Sequence, residues 1–373
     1  MSLAREIIDR IFFPNRDPHA VPVLDGGFSP NTRLDDAKVE ARFDMPDSLA
    51  VGAGGDLFVS AGREIFRLRG GPSAEPERFA AFDTKVGALA FGTGRLYAAL
   101  AGTGVVALDE DGRETSRLTA VKDVPLHCVT AIAAAGDGSV LLTDGSQHNG
   151  PDDWLRDLME KRPGSGRVVT CGADLGGAAV LEDELNWPSG IAADGDRVLV
   201  TEAWAHRLLS IPRDGGRIQV VVKNFAGYPA RIHPSVAGGY WIAFFAMRTQ
   251  LTEFVLREDR FRINMMRQIE PELWIGPTLG NHFDYREPTQ VGRIKKLGIQ
   301  KPWAPPRSYG LAARINAAGE AVESLHSRVS GEVHGVTDLV EVGGRLLVAS
   351  KGHGKLVSAP IHGAGAVIGR NGS

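Results

Sequence analysis

Short apolar stretches, each broken by a glycine or Asp-Gly turn, recur along the chain in one phrase of three strands. The first copy, SLAVGAGGDLFVSAGREIFRL, covers residues 48–68, and the second, ALAFGTGRLYAALAGTGVVAL, starts at Ala88. The third begins AIAAAGDGSVLLTDGS at Ala131 and completes its third strand at GRVVTC. The fourth, fifth and sixth start at Gly190, Arg231 and Asp338. Leu49, Leu89, Ile132, Ile191, Ile232 and Leu339 are equivalent positions. Three of the five gaps between them fall at the ~40–45 residues of a propeller blade. Strands apolar on both faces must be covered on both sides, which blades stacked around an axis achieve. The pattern predicts an all-β, six-bladed β-propeller occupying residues 1–373 as one domain, with blades starting near 46, 86, 129, 188, 229 and 335.

Two long gaps interrupt the period, and both carry helical patterns. Residues 149–166 place Trp154, Leu155, Leu158 and Met159 at helical spacing behind Pro151 and two aspartates. Residues 258–308 include RFRINMMRQIEPELW, then a Pro- and Lys-rich run, KKLGIQKPWAPPRSYG. The fifth copy is read as strand through QLTEFVL, its blade being completed by GLAARINAAGEAVESL. Short helical insertions are therefore expected in blades 3 and 5, packed together as a cap over the ligand mouth. The sixth copy lacks a fourth strand, and residues 21–24 are the expected donor.

Composition narrows the function. Net charge is −3 with both signs interspersed, so no basic stripe for nucleic acid and no polybasic lipid patch stands out. Residues 1–14 mix charged with apolar residues at helical spacing and lack the apolar core of a signal peptide. Cys128 and Cys171 are the only cysteines, too few for a disulfide framework. The expectation is a cytoplasmic protein, monomer or homodimer, whose partner is a small molecule rather than nucleic acid or membrane.

The segments LLTDGSQ, DWLRDLMEKRPGSGRVVTC, AVLEDELNWPSGIAADGDRVLVTEAWAHRLL and GGYWIAF resemble the strictosidine-synthase-like family, whose wider relatives include gluconolactonase-like and paraoxonase-like hydrolases. The resemblance implies the six-bladed fold already read from the repeat. It also implies a pocket glutamate on the first strand of the last blade, where this chain has Thr337 beside Asp338. Threonine cannot shuttle a proton near neutral pH, so amine–aldehyde condensation is not expected. The hydrolase relatives hold calcium on the axis, and the matching positions here are Asp47, Thr130, Ser189 and Ala230 or Arg231. Calcium prefers several oxygen ligands with formal negative charge among them. Only Asp47 supplies that, so no metal or other cofactor is expected.

Candidate chemistry gathers at the channel mouth. Asp47, Arg231 and His148 are the catalytic candidates: a carboxylate facing a guanidinium can clamp or polarise a substrate group, and an imidazole can act as base. Thr130, Ser189, Trp187, Tyr228, His334, Thr337 and His353 are the candidate binding residues, with His127 and His233 close by in sequence. An axial salt bridge that merely closes the channel is the competing reading of Asp47 and Arg231. Three functions follow as alternatives: a metal-independent hydrolase of esters or lactones (or a lyase or isomerase), a calcium-dependent lactonase-type hydrolase with substituted ligands, or a non-catalytic binding propeller.

Overall fold

The computed structural model describes residues 28–280, 295–296, 299–300 and 308–362. Six four-stranded antiparallel sheets stand around an axis. Their innermost strands are Pro46–Val51, Val86–Gly92, Val129–Ala134, Pro188–Asp194, Gly227–Pro234 and Val336–Val342, and define blades 1 to 6. The second and third strands of most blades are nearly all buried, for example Leu57–Ala61 and Gly104–Leu108. Outer strands such as Glu77–Ala81 are largely exposed. Apolar side chains from facing blades fill the space between them, as where Phe58 of blade 1 stacks on Phe91 of blade 2 at 6.2 Å. Hairpins turn on glycine where both central residues need positive φ: Gly343 and Gly344 of blade 6 lie at 56° and 75°.

The ring closes through the N-terminal side of the chain, but not through residues 21–24, which lie outside the described residues, as do residues 1–14. The fourth strand of blade 6 is Lys38–Arg42, paired antiparallel with Lys355–Pro360. The segment before it runs along blade 5, where Leu34 N donates to His326 O at 3.0 Å and Arg33 pairs with Glu323 at 2.7 Å.

The third-blade insertion forms helix α1, Trp154–Glu160. In blade 5 the reading of QLTEFVL as strand is wrong. It is helix α2, Gln250–Arg257, started by Thr249, whose side chain accepts from Thr252 N. Helix α3, Asp259–Gln268, follows. Blade 5 takes its third and fourth strands from Gly310–Ile315 and Ala321–Ser327. Most of the Pro- and Lys-rich run lies outside the described residues. Met159 of α1, Val255 of α2, Met265 of α3 and Trp274 share one buried apolar cluster. Lys161 Nζ, just past α1, donates to Leu256 O at 2.9 Å. Farther along, Leu279 and Gly280 lie against the backbone of Gly335 and Gly352 in blade 6. The fifth-blade insertion thus reaches from blade 3 to blade 6 across one face of the ring. Among the described residues no helix is long and apolar enough to cross a membrane.

Candidate functional site

Every innermost strand enters the sheet through a bulge. In blade 1, Pro46 opposes Ala61 and Ser48 opposes Ser60, leaving Asp47 as the extra residue. The same skip isolates Thr130, Ser189 and Thr337 in blades 3, 4 and 6. In blade 5 the skip spans Ala230 and Arg231, and in blade 2 it spans Gly87 and Ala88. A bulge leaves one residue unpaired and re-aims its side chain. The candidate mouth residues are therefore one structural class, and blade 2 adds a glycine that the sequence reading did not identify. Three strands are entered through a left-handed residue: Met45 at φ 51°, Trp187 at 55° and Gly335 at 62°. For Met and Trp this conformation costs roughly 1–2 kcal/mol.

Asp47 is the centre of an ion cluster. Its Oδ1 receives Arg231 Nη1 at 2.7 Å, and its Oδ2 pairs with Lys351 Nζ. Arg231 Nη1 also donates to the carbonyl oxygens of Asp47 and Thr337, at 2.7 and 3.3 Å. Burial works to raise the Asp47 pKa, but the charges of Lys351 and Arg231 outweigh it and hold the carboxyl well below its usual range. Asp47 is thus a permanent anion between two cations, with side-chain exposures of 15 %, 10 % and 21 % for Asp47, Arg231 and Lys351. Arg231 Nε is buried without a hydrogen-bond partner among the described residues. Lys351 follows the second strand of blade 6, in the KGHGK stretch from which the sequence reading took only His353.

The hydroxyls of the ring are committed to the fold. Thr130 Oγ1 donates to Pro188 O at 2.6 Å, Ser189 Oγ to Pro229 O at 2.7 Å and Thr337 Oγ1 to Asp47 O at 2.8 Å. Each bond joins one blade to the next. The residues do not fit an axial calcium ion. The lone carboxylate already carries two cations, and a dication beside Arg231 and Lys351 would add to an existing positive excess.

Asp338 turns away from Thr337, as strand alternation requires. It is fully buried and accepts from Ser48 Oγ at 2.7 Å, Leu49 N at 2.8 Å and Leu339 N at 2.8 Å. His233 Nε2 lies 2.7 Å from its Oδ1. Ser48 Oγ in turn accepts from Leu89 N at 2.9 Å, so one hydrogen-bonded chain links blades 5, 6, 1 and 2.

An aromatic wall borders blades 4 and 5. Trp187 packs on Trp204 at 5.1 Å, and Trp204 on Tyr228 and Phe245 at 5.8 and 6.2 Å. Trp154 of α1 joins Phe245 at 5.4 Å. Asp157 of α1 fixes this contact: it accepts from Trp204 Nε1 at 2.8 Å, Ser146 Oγ at 2.7 Å and Asn149 Nδ2 at 2.9 Å. Tyr228 is fully buried, its hydroxyl has no hydrogen-bond partner among the described residues, and burial raises its pKa.

The remaining candidates lie in other settings. His334 is fully buried, with Nδ1 2.8 Å from Ser308 Oγ and Nε2 donating to Arg328 O at 2.8 Å. His353 Nδ1 accepts from His334 N at 3.2 Å, and the two rings meet edge to face at 4.9 Å. His148 is exposed in the loop before α1, its backbone N–H donating to Ser146 Oγ at 3.1 Å. The structure thus groups Asp47, Arg231 and Thr337 with Lys351, and Trp187 and Tyr228 with Trp204. His148 is not hydrogen-bonded to either group.

No protein-family model matches the chain. Among curated proteins it is similar to adipocyte plasma membrane-associated protein of Mus musculus, 27% identical over 272 residues, 66% of this chain and 64% of that protein. It is also similar to protein strictosidine synthase-like 6 of Arabidopsis thaliana, 28% identical over 159 residues, 42% of this chain and 43% of that protein. The matches thus span less than two thirds of either relative's length. Among solved structures, a gluconolactonase from Xanthomonas campestris superposes with a TM-score of 0.57 at 14% identity, covering 89% of this chain and 92% of that one. That likeness concerns the fold. The sequence relatives agree with the strictosidine-synthase-like resemblance.

Proposed function

We propose that the chain is a metal-independent hydrolase of small esters or lactones, its substrate bound beneath the cap with the reacting carbonyl oxygen toward Arg231 and Lys351. The observation that carries this reading is the pairing of two cations with one carboxylate at the bulge ring. Hydrolysis places negative charge on the carbonyl oxygen as water adds, and preorganised cations in a water-poor site stabilise that charge. Asp47, held ionised, is not a proton donor near neutrality. Its part is to keep Arg231 and Lys351 in place without neutralising both. The aromatic wall supplies apolar surface for the rest of a small organic molecule.

The test is a panel of γ- and δ-lactones and aryl esters assayed with and without EDTA. Turnover is expected to survive EDTA and to fall about 10²-fold in R231M and in K351M, the usual cost of removing one such stabilising group. Turnover abolished by EDTA and restored by calcium would favour the calcium-dependent alternative. A second reading, a non-catalytic small-molecule-binding propeller, draws on the commitment of Thr130, Ser189 and Thr337 to interblade bonds. No turnover on any substrate, with saturable binding of the same compounds, would favour it. We further infer a cytoplasmic protein without a membrane partner. The mouse relative is membrane-associated by name, so cell fractionation that leaves the chain in the membrane pellet would overturn this part.

A further inference from the structure

The ester or lactone reading leaves one requirement unmet, because neither Asp47 nor the ring hydroxyls can take a proton from the attacking water. We propose that His233, oriented by Asp338, is the general base of this reaction.

The geometry is that of an imidazole with one nitrogen fixed and the other free. Asp338 is fully buried and saturated by three donors besides His233, an arrangement that favours its ionised form. An ionised carboxylate only accepts, so the His233 nitrogen 2.7 Å from it, Nε2, carries the hydrogen. In the neutral ring Nδ1 then holds the lone pair. It has no hydrogen-bond partner among the described residues, and the His233 side chain is 29 % exposed. Arg231 also acts on Asp338, and Glu341, farther along the Asp338 strand, is occupied by Ser235, Trp241 and the N–H of Val236.

Position completes the argument. His233 lies two residues beyond Arg231 on the innermost strand of blade 5, about 6–7 Å along it. Arg231 and His233 both act on the buried Asp338, which puts them at one site, and in the proposed complex one water bridges a carbonyl held at Arg231 and the free Nδ1. In the first step water oxygen bonds to the carbonyl carbon, its proton passes to Nδ1, and the carbonyl electron pair moves to the oxygen facing Arg231 and Lys351. In the second the carbonyl re-forms, the bond to the leaving oxygen breaks, and the imidazolium returns the proton to that oxygen. The products are a carboxylic acid and an alcohol, or one hydroxy acid from a lactone.

The proposal rests on the hydrolase reading, and the experiment separates the two. H233Q is expected to lower kcat at least about 10²-fold on substrates the wild type turns over, with KM little changed. In H233A, added imidazole should restore part of the rate. Nitrogen-15 NMR of the wild type should show the Nε2–H tautomer at His233. Wild-type turnover that a folded H233Q retains overturns the His233 assignment alone, as does an Nδ1–H tautomer. Should H233Q not fold, a lack of imidazole rescue in folded H233A does the same. Absence of wild-type turnover across the panel overturns the hydrolase reading and this assignment with it.

Discussion

Tyr309 stands between two buried imidazoles, its hydroxyl 3.0 Å from His326 Nδ1 and its ring parallel to that of His334 at 6.5 Å. His326 Nε2 lies 2.9 Å from Ser324 Oγ, so both histidines are hydrogen-bonded without a carboxylate partner. Burial lowers each pKa from 6.5 to about 4, so the folded state keeps them neutral while the unfolded chain takes up protons below about pH 6.5. Their contribution is complete above pH 6.5 and is lost as pH falls toward 4, by up to roughly 3 kcal/mol each. The lowered carboxyl of Asp47 acts in a different window: its contribution is present above about pH 4 and is lost only below it. The melting temperature is therefore expected to drop between pH 6.5 and 4, with a shallower slope in the H326Q/H334Q double variant. A flat profile for the wild type across that range would contradict the account. Little of this was legible beforehand, since the sequence shows two histidines but not the burial that keeps them uncharged.

Helix α1 is short, and its attachment depends on Asp157 more than on its own length. That carboxylate takes three donors, from Ser146, Asn149 and Trp204, while Leu158 and Met159 bury on the other side. D157A is expected to cost about 2–3 kcal/mol locally and to open the cap to proteolysis in residues 150–165, leaving the blades intact. Protease mapping and tryptophan fluorescence would show this, and an unchanged cleavage pattern would refute it. The apolar sets of the two insertions were visible as helical spacings, and Met159, Met265 and Trp274 do meet in one cluster. Ile269, in the same quoted segment as Met265 and Trp274, is instead 43 % exposed. QLTEFVL was misread because a short apolar run suits strand or helix equally. The arbiter was Thr249, whose capping bond starts α2 directly after the strand Tyr240–Met247.

Six blades could be counted from sequence because second and third strands are apolar on both faces, whereas outer strands are not. Lys38–Arg42, KVEAR, has no fully buried residue, so hydrophobicity could not single it out as the closing strand. What selects it is the open edge of Lys355–Pro360, reinforced by Glu40 accepting from Ser358 Oγ and by Asp35 bonding Ser327 and Arg328 N. The candidate site was partly legible for a related reason. The family resemblance brings out Asp47, Thr130, Ser189 and Thr337 at one place in successive copies, the place where the structure has its bulges. Lys351 and the His233–Asp338 pair arise from neighbouring blades meeting at the axis. Removing residues 1–42 should lower the melting temperature by about 10 °C or more or prevent recovery of folded protein. A truncated chain that melts like the full one would show that the strand is dispensable.

Glu40 and Ser358, bonded across the closing seam, are 318 residues apart in the chain. During synthesis Lys38–Arg42 leaves the ribosome long before Lys355–Pro360 and must wait for it unpaired. Blades 1 to 5 each assemble from strands in chain order, so they can form while translation continues. The final blade cannot. A nascent chain halted before residue 355 would expose a sheet edge to any neighbouring strand, and the emergence of Lys355–Pro360 is the event that lets the ring seal.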